Sequence, residues 1–205
     1  MRLDAEFGHI DIYLFDQILR GRVRPGDRIV DAGCGFGRNL VYLMRHGWEV
    51  FGVDPDPDAI VEVRALASAL APSLPPDNFR AEPVERSTFP DGLGTVVLSS
   101  AVLHFARDDR AFDDMLTASW RLLSSGGMFF CRLASTIGIE TRIERIPGSS
   151  RRYRLPDGTD RYLVDEALLV GLTAKLGGEL LDPLKTTIVQ NQRCMTTWVL
   201  RKDTG

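Results

Sequence analysis

The stretch Asp31-Ala32-Gly33-Cys34-Gly35-Phe36-Gly37 decides the fold class of this chain. It follows Arg28-Ile29-Val30, a predicted buried strand, and precedes residues 39–44, whose apolar positions fall on one helical face. A strand, a glycine turn and a helix form the unit that brings main-chain N–H groups against a nucleotide-like ligand. Glycine suits the turn because it adopts positive φ and leaves space for the ligand.

A carboxylate follows the next predicted strand. Residues 48–53 form that strand, and Asp54 ends it about 20 residues after the first glycine, where doubly wound folds bind the two ribose hydroxyls of a nucleotide. The glycine turn and Asp54 are therefore expected to form one site. The structural alternatives are a tight turn without a ligand and an Asp54 that only caps a helix.

The glycine spacing distinguishes a dinucleotide-binding loop from other nucleotide-binding turns. A dinucleotide-binding loop, G-x-G-x-x-G, requires glycine at position 38, where this chain has Arg38. A nicotinamide-dependent oxidoreductase is therefore a disfavoured alternative.

The rest of the chain alternates between predicted helices and strands. A lead-in helix is expected over residues 11–20, and Pro55-Asp56-Pro57-Asp58 supplies the start of a later one. The remaining predicted strands cover residues 78–81, 95–99, 128–133, 180–189 and 193–201, and the remaining helices begin near Asp108 and Asp165. Gly126-Gly127 is predicted to turn the chain into the strand at 128–133.

One segment, residues 136–164, interrupts the alternation. Residues 152–155 and 161–163 flank the turn signal Pro156-Asp157-Gly158, which predicts an inserted β-hairpin. This segment has an excess of arginine over acid, and the hairpin is either a lid that favours an anionic small molecule or a solvated surface ribbon. Its charged residues are Arg142, Arg145, Arg151, Arg152, Arg154 and Arg161, with Glu140, Glu144, Asp157 and Asp160.

Composition limits the class of protein. The 205 residues suit a single domain, 1–205, with an N-terminal helix within 1–24, and 44% hydrophobic content provides for a core. No apolar run approaches the roughly 18 residues of a membrane span, and no signal peptide is evident, so a cytoplasmic protein is expected. Three cysteines without C-x-x-C spacing argue against a disulfide framework and against a zinc site. A net charge of −3 makes nucleic acid a disfavoured partner.

The turn D-x-G-x-G-x-G resembles the first motif of class I S-adenosylmethionine-dependent methyltransferases, and the resemblance extends from about residue 24 to residue 202. It implies an α/β fold: a doubly wound, seven-stranded, mostly parallel sheet with an antiparallel last strand, in three α/β/α layers. The small hairpin is then inserted before the last helix. It also implies S-adenosylmethionine as the cofactor.

The resemblance implies a set of cofactor-binding residues. Residues 29–37 correspond to the loop under the methionine portion, and Asp54 with Pro55 to the ribose acid. Glu82, within residues 79–84, stands where family members place an acid that binds the adenine amino group, and residues 96–105 correspond to the fourth strand and the active-site rim. The expected contacts are Asp31, Gly33, Cys34, Gly35, Gly37, Arg38, Asp54, Pro55, Glu82, Pro83, Val84 and Ser99.

Three further side chains are candidates on the substrate side. His104 is the candidate general base, with a loop-stabilising role as its alternative. Arg132 either holds a substrate anion or forms a structural ion pair, and Tyr13 either lines the cleft or packs in the core. The expected function is methyl transfer to a small molecule, and the alternative is a non-catalytic binder of the same cofactor. The acceptor atom and the oligomeric state are not defined by the sequence.

Overall fold

The computed structural model describes residues 2–204. The helices are α1 (Leu3–Phe7), α2 (Ile12–Leu19), α3 (Val41–Arg45), α4 (Pro57–Leu70), α5 (Asp109–Leu122) and α6 (Glu166–Lys175). The strands are β1 (Arg28–Ala32), β2 (Glu49–Asp54), β3 (Phe79–Ala81), β4 (Gly94–Ser100), β5 (Leu123–Ala134), β6 (Glu144–Arg145), β7 (Arg152–Arg154), β8 (Asp160–Tyr162), β9 (Gly178–Leu180), β10 (Lys185–Val189) and β11 (Arg193–Lys202).

Eight strands form the central sheet. Seven run in the order β10-β11-β5-β4-β1-β2-β3, and β9 pairs with β11 as the eighth. Strands β1 to β5 are mutually parallel, whereas β11 is antiparallel to β5, β9 and β10. The prediction of a doubly wound, mostly parallel sheet with an antiparallel ending is confirmed. The strand predicted over residues 180–189, with an interruption near Pro183, is divided into β9 and β10, which gives the sheet its eighth strand.

Helices cover both faces of the sheet. Successive side chains of a strand point to opposite faces, so neighbouring residues pack into different apolar clusters. Ile29 belongs to the apolar cluster that includes residues of α2, α3 and α4. Its neighbour Val30 belongs to the cluster that includes residues of α5 and α6. The sequences of the parallel strands are therefore mostly apolar at consecutive positions, as expected for a sheet between two helical layers.

The start of β5 departs from the expectation. The predicted turn at Gly126-Gly127 lies inside the strand, which begins at Leu123 directly after α5. Gly126 has a φ of +74°, and the register of β5 against β4 shifts between Gly94 and Val96. Between the pairs Gly94–Leu123 and Val96–Met128, β5 has four residues where β4 has one, so the glycines lie in an irregular, bulged strand start.

The inserted segment folds as a small separate sheet. The predicted hairpin is present as β7 and β8, and β6 adds a third antiparallel strand. Asp109, at the start of α5, accepts hydrogen bonds from Tyr162 Oη at 2.9 Å and from Ser150 Oγ. These contacts hold the inserted sheet against the helix that follows β4.

The lead-in helix α2 is attached to the C-terminal part of the chain through Asp182. This carboxylate is 7% exposed and accepts hydrogen bonds from Gln17 Nε2 at 3.1 Å, Arg20 Nη1 at 3.0 Å and Arg22 Nη1 at 2.7 Å. Burial alone would raise the pKa of Asp182, but the hydrogen bonds from Arg22 and Gln17 hold it below its ordinary value. Asp182 is therefore ionised in the folded protein at neutral pH.

None of the helices within residues 2–204 has both the length and the apolar composition that a bilayer crossing requires. Cys34, Cys131 and Cys194 are buried free thiols.

The change Asp182→Ala should lower the free energy of unfolding by about 3 kcal/mol, because it leaves buried donors and a partly buried guanidinium without their anion. Urea denaturation measures this loss. The matched control is Asp113→Ala, which removes an exposed carboxylate 3.7 Å from Lys175 Nζ and should change stability by less than about 0.5 kcal/mol. Equal effects of the two substitutions would contradict the role given to Asp182.

Candidate active site

A cavity of about 890 Å³ opens at the carboxyl ends of β1, β2 and β4. In an open α/β sheet this edge is where ligands bind. The cavity continues past the end of β5 to the inserted hairpin and the facing ends of β10 and β11. Of the residues predicted for the site, those that line it are Gly33, Cys34, Gly35, Arg38, Asp54, Pro55, Pro83, Val84, His104 and Arg132.

The glycine turn and Asp54 are joined by hydrogen bonds. The main-chain N–H groups of Gly33 and Cys34 both donate to the carbonyl oxygen of Val53, each at 2.9 Å. Gly35 N–H donates to Asp54 Oδ2 at 2.9 Å, and Asp56 N–H donates to Oδ1 at 3.0 Å. The two sequence features therefore meet in one place.

The three glycines of the turn have positive φ for different reasons. A Cβ on Gly33 (φ +102°) would lie 2.3 Å from Val102 Cγ2, and one on Gly37 (φ +77°) would lie 2.8 Å from Val63 Cγ2. Gly37 does not line the cavity and serves packing. A Cβ on Gly35 (φ +48°) meets no heavy atom within 4 Å, and this residue lines the cavity. Gly35 keeps space free for a ligand.

Asp31 lies behind the turn as a buried carboxyl group. It is 1% exposed, does not line the cavity, and neither of its oxygens has a hydrogen-bond partner among the described residues. Burial raises its pKa to about 8, with Arg38 opposing and Asp54 adding to the shift. A buried acid without a partner beside a glycine turn fits a ligand that carries a cationic group.

Besides Gly37 and Asp31, two more of the predicted cofactor contacts, Glu82 and Ser99, lie outside the cavity. Glu82 turns its carboxylate to Thr88, accepting from the main-chain N–H at 2.9 Å and from Oγ1 at 3.0 Å. The following residues Val84 and Glu85 line the cavity instead. Ser99 is completely buried within β4 beside Cys131 of β5, because strand alternation points its neighbour Ser100 to the cavity.

Asp11 connects α2 to the site, and sequence reasoning missed this role. It is the N-cap of α2 and is 4% exposed. Its Oδ2 accepts from Arg132 Nη1 at 3.0 Å and lies 3.4 Å from Ser100 Oγ, while its main-chain N–H donates to Asn39 Oδ1. Arg38 Nη2 donates to Ser100 Oγ at 3.1 Å, which extends the connection to the glycine turn.

Arg132 lines the cavity and Tyr13 does not. The ring of Tyr13 lies 5.6 Å from the Arg132 guanidinium, and its hydroxyl shares a hydrogen bond of 2.6 Å with Thr187 Oγ1. Tyr13 therefore supports Arg132 from outside the cavity. Arg132 forms the structural ion pair with Asp11 and also lines the cavity.

His104 has a geometry different from that of a general base. Its Nδ1 accepts the main-chain N–H of Ala134 at 3.2 Å, so in the neutral ring the proton is assigned to Nε2. Burial, with the charges of Arg161 and Arg132, lowers the pKa of His104 to about 4. The ring is thus neutral at physiological pH and carries a hydrogen-bond donor.

Ala101, at the end of β4, lines the cavity with a φ of +65°. Alanine rarely adopts this conformation, at a cost of about 1 kcal/mol, and such strain concentrates at functional sites. Its main-chain N–H donates to the carbonyl oxygen of Arg132 at 2.7 Å, which holds the strained turn in place.

The profile of a family described as methyltransferase domain matches residues 30–131. A ubiquinone biosynthesis O-methyltransferase of Methylobacterium nodulans is 28% identical over 182 residues, which are 86% of this chain and 68% of that protein. The fold is similar to that of an S-adenosylmethionine-dependent methyltransferase from Methanosarcina mazei, with a TM-score of 0.71, 18% identity, and coverage of 92% of this chain and 98% of that one.

A second similar structure is the 1,6-didemethyltoxoflavin-N1-methyltransferase of Burkholderia thailandensis, solved with 1,6-didemethyltoxoflavin and S-adenosylhomocysteine. Its TM-score is 0.67 at 21% identity, over 93% of this chain and 76% of that one.

The changes Gly33→Ala and Gly35→Ala should separate folding from ligand binding. Gly33→Ala should cost about 2–4 kcal/mol of stability because its methyl group overlaps Val102 and because alanine is strained at this positive φ. The second substitution Val102→Ala should restore part of the loss. Gly35→Ala should cost only about 1 kcal/mol yet weaken binding of S-adenosylhomocysteine at least about tenfold, because its methyl group occupies cavity space. Thermal unfolding and calorimetry measure the two effects. Unchanged affinity in Gly35→Ala would contradict this assignment.

The imidazole of His104 should show no protonation between about pH 5.5 and 8 when NMR follows its ring nitrogens, and Nε2 should carry the proton. Because the folded-state pKa is below the ordinary value of 6.5, His104 lowers stability as the pH falls from 6.5 towards 4. The variant His104→Gln assigns the resonance. A midpoint near 6.5, or a protonated Nδ1 in the neutral ring, would contradict this description.

Proposed function

Because this chain belongs to the class I S-adenosylmethionine-dependent methyltransferases, we propose that it methylates a small molecule bound beneath its inserted hairpin. The observation that carries this proposal is one continuous cavity, with the glycine turn and Asp54 at one end and the hairpin at the other. Cavities of about 300–1,000 Å³ hold drug-sized ligands. An acceptor that shares about 890 Å³ with the cofactor is therefore small.

The cofactor end of the cavity has a donor and acceptor set suited to an adenosyl ligand. The glycine turn would hold the methionine portion, and the Asp54 carboxylate would bind the ribose hydroxyls. Pro83 and Val84, both predicted as cofactor contacts, and Glu85 line the cavity where they would flank the adenine, whereas Glu82 does not line it. The unpartnered carboxyl of Asp31 and the open space beside Gly35 support this arrangement.

When bound, S-adenosylmethionine supplies a methyl group on a sulfonium sulfur, which keeps the electron pair of the broken bond while the acceptor atom forms the new one. The contribution of the chain is to align the acceptor and to exclude water. His104 donates a hydrogen bond to the acceptor from Nε2, in place of the proton abstraction first predicted for it. A proton released by the acceptor passes to solvent.

Charge favours a small molecule over a nucleic acid as the acceptor. The chain carries a net charge of −3, and Asp54, Glu85 and Asp157 all line the cavity. A nucleic-acid backbone binds mainly to clustered lysine and arginine, with its phosphates paired to them. Three of the four arginines that line this cavity, Arg132, Arg161 and Arg193, are instead at its hairpin end, around a space of small-molecule size.

The wild-type protein should bind S-adenosylhomocysteine in calorimetry, and Asp54→Ala should weaken binding at least about tenfold, because a charged hydrogen-bond acceptor is lost. With S-adenosylmethionine and a panel of small phenols, amines and carboxylic acids, it should form S-adenosylhomocysteine with at least one member. No product should form with total RNA.

The matched control is Asp58→Ala, which removes an exposed acid from the first turn of α4 outside the cavity and should leave affinity within about twofold. Absence of S-adenosylhomocysteine binding by the folded wild-type protein would refute the cofactor site. Turnover with RNA and with no small molecule would refute the proposed acceptor class.

A further inference from the structure

Three arginines from three separate elements line the hairpin end of the cavity. Arg132 comes from β5, Arg161 from β8 and Arg193 from the start of β11. They are far apart in sequence, and only the fold brings them to one space. Guanidinium groups gathered around a cavity bind anions, because their planar N–H donors match carboxylate geometry.

Two of these guanidinium groups have no carboxylate in an ion pair within residues 2–204. Arg161 lies over the ring of Phe105, 4.8 Å from its centroid, and donates from Nη1 to the carbonyl oxygen of Asp160 at 2.8 Å. The guanidinium of Arg193 has neither a hydrogen bond nor an ion pair with any described residue. The donors of Arg193, and those of Arg161 that are not bound to Asp160, are available to a ligand.

The charges at this end of the cavity leave one positive charge uncompensated. Asp11 neutralises Arg132 through the ion pair at 3.0 Å. Asp157 lines the same space, acts electrostatically on both Arg161 and Arg193, and accepts two hydrogen bonds from Thr159. Asp160 also acts on Arg161, but it is paired with Arg154 and does not line the cavity. Three guanidinium groups thus face two carboxylates, and neutral His104 adds no charge.

Apart from Thr159, the remaining lining at this end is apolar. Phe105, Met115, Leu155 and Met195 face the same space, and the Phe105 side chain is 62% exposed. A large exposed aromatic ring at a cavity wall offers contact area to an apolar ligand. The site therefore combines an apolar wall with one excess positive charge.

We propose that the methyl acceptor is a small molecule with an apolar body and a single carboxylate, which binds Arg161 and Arg193 at the hairpin end of the cavity. Arg132, fixed by Asp11, faces the same bound anion. This inference rests on the proposed methyltransferase function and adds the chemical class of its acceptor. It also gives the inserted hairpin a role in selecting that acceptor.

The test compares carboxylates with their uncharged counterparts in the presence of saturating S-adenosylhomocysteine. The probes are 4-hydroxybenzoate, indole-3-acetate and cinnamate, each paired with its primary amide, and calorimetry measures binding. At least one acid should bind, and its amide should bind at least about tenfold more weakly. R161Q and R193Q should each weaken the acid about tenfold and leave the amide and S-adenosylhomocysteine unchanged.

The matched control is R154Q, which changes an arginine of the same hairpin that is paired with Asp160 and does not line the cavity. It should bind the acid as the wild type does. Because Arg193 is exposed and has no partner to lose, R193Q keeps the test decisive if R161Q fails to fold.

Equal binding of acids and amides, an acid preference that survives both R161Q and R193Q, or no acid bound by a protein that binds S-adenosylhomocysteine would each overturn the inference alone. A wild-type protein that does not bind S-adenosylhomocysteine would overturn the methyltransferase proposal, and this inference with it.

Discussion

The hydrogen bond from Gly35 N–H to the Asp54 carboxylate is the constraint on which the candidate site depends. It exists because β1 and β2 are parallel and in a register that pairs Ala32 with Val53, so that both strands end at one edge. A slip of one residue would turn the Asp54 side chain to the other face of the sheet. The three N–H groups held by Val53 and Asp54 therefore fix the shape of the glycine turn.

Through Asp11, the lead-in helix α2 fixes the position of Arg132 in addition to packing against the core. The same carboxylate caps α2 and pairs with Arg132, so the position of the helix and the position of the arginine are set together. Removal of α2 together with its cap Asp11 would leave Arg132 as a partly buried cation without its partner, which is costly. The N-terminal helix is thus part of the acceptor side of the site as well as of the core.

The sequence predicted most elements because their signals are local. The Asp caps at 56, 108 and 165 each accept a hydrogen bond from the first helical turn, and the turn at Pro156-Asp157-Gly158 joins β7 to β8 as expected. Within the site, the glycines and Asp54 were predictable because their spacing in the sequence places them at the ends of two adjacent parallel strands. Tyr13, Glu82 and Ser99 lie outside the cavity because side-chain direction depends on register and on partners such as Thr187 and Thr88. Arg193 carries no local signal, since only the pairing of β11 with β5 brings it to the cavity.

The buried carboxyl of Asp31 has a consequence for how ligand affinity varies with acidity. With a pKa of about 8, this group is mostly protonated in the free protein at neutral pH, whereas in the unfolded chain it is ionised. The free protein therefore loses stability as the pH rises from about 4 to 8, because the folded state holds the extra proton. A cationic group bound beside Asp31 would favour its ionised form and expel that proton, so occupancy of the cofactor site would tighten in alkaline buffer and acidify a weakly buffered solution.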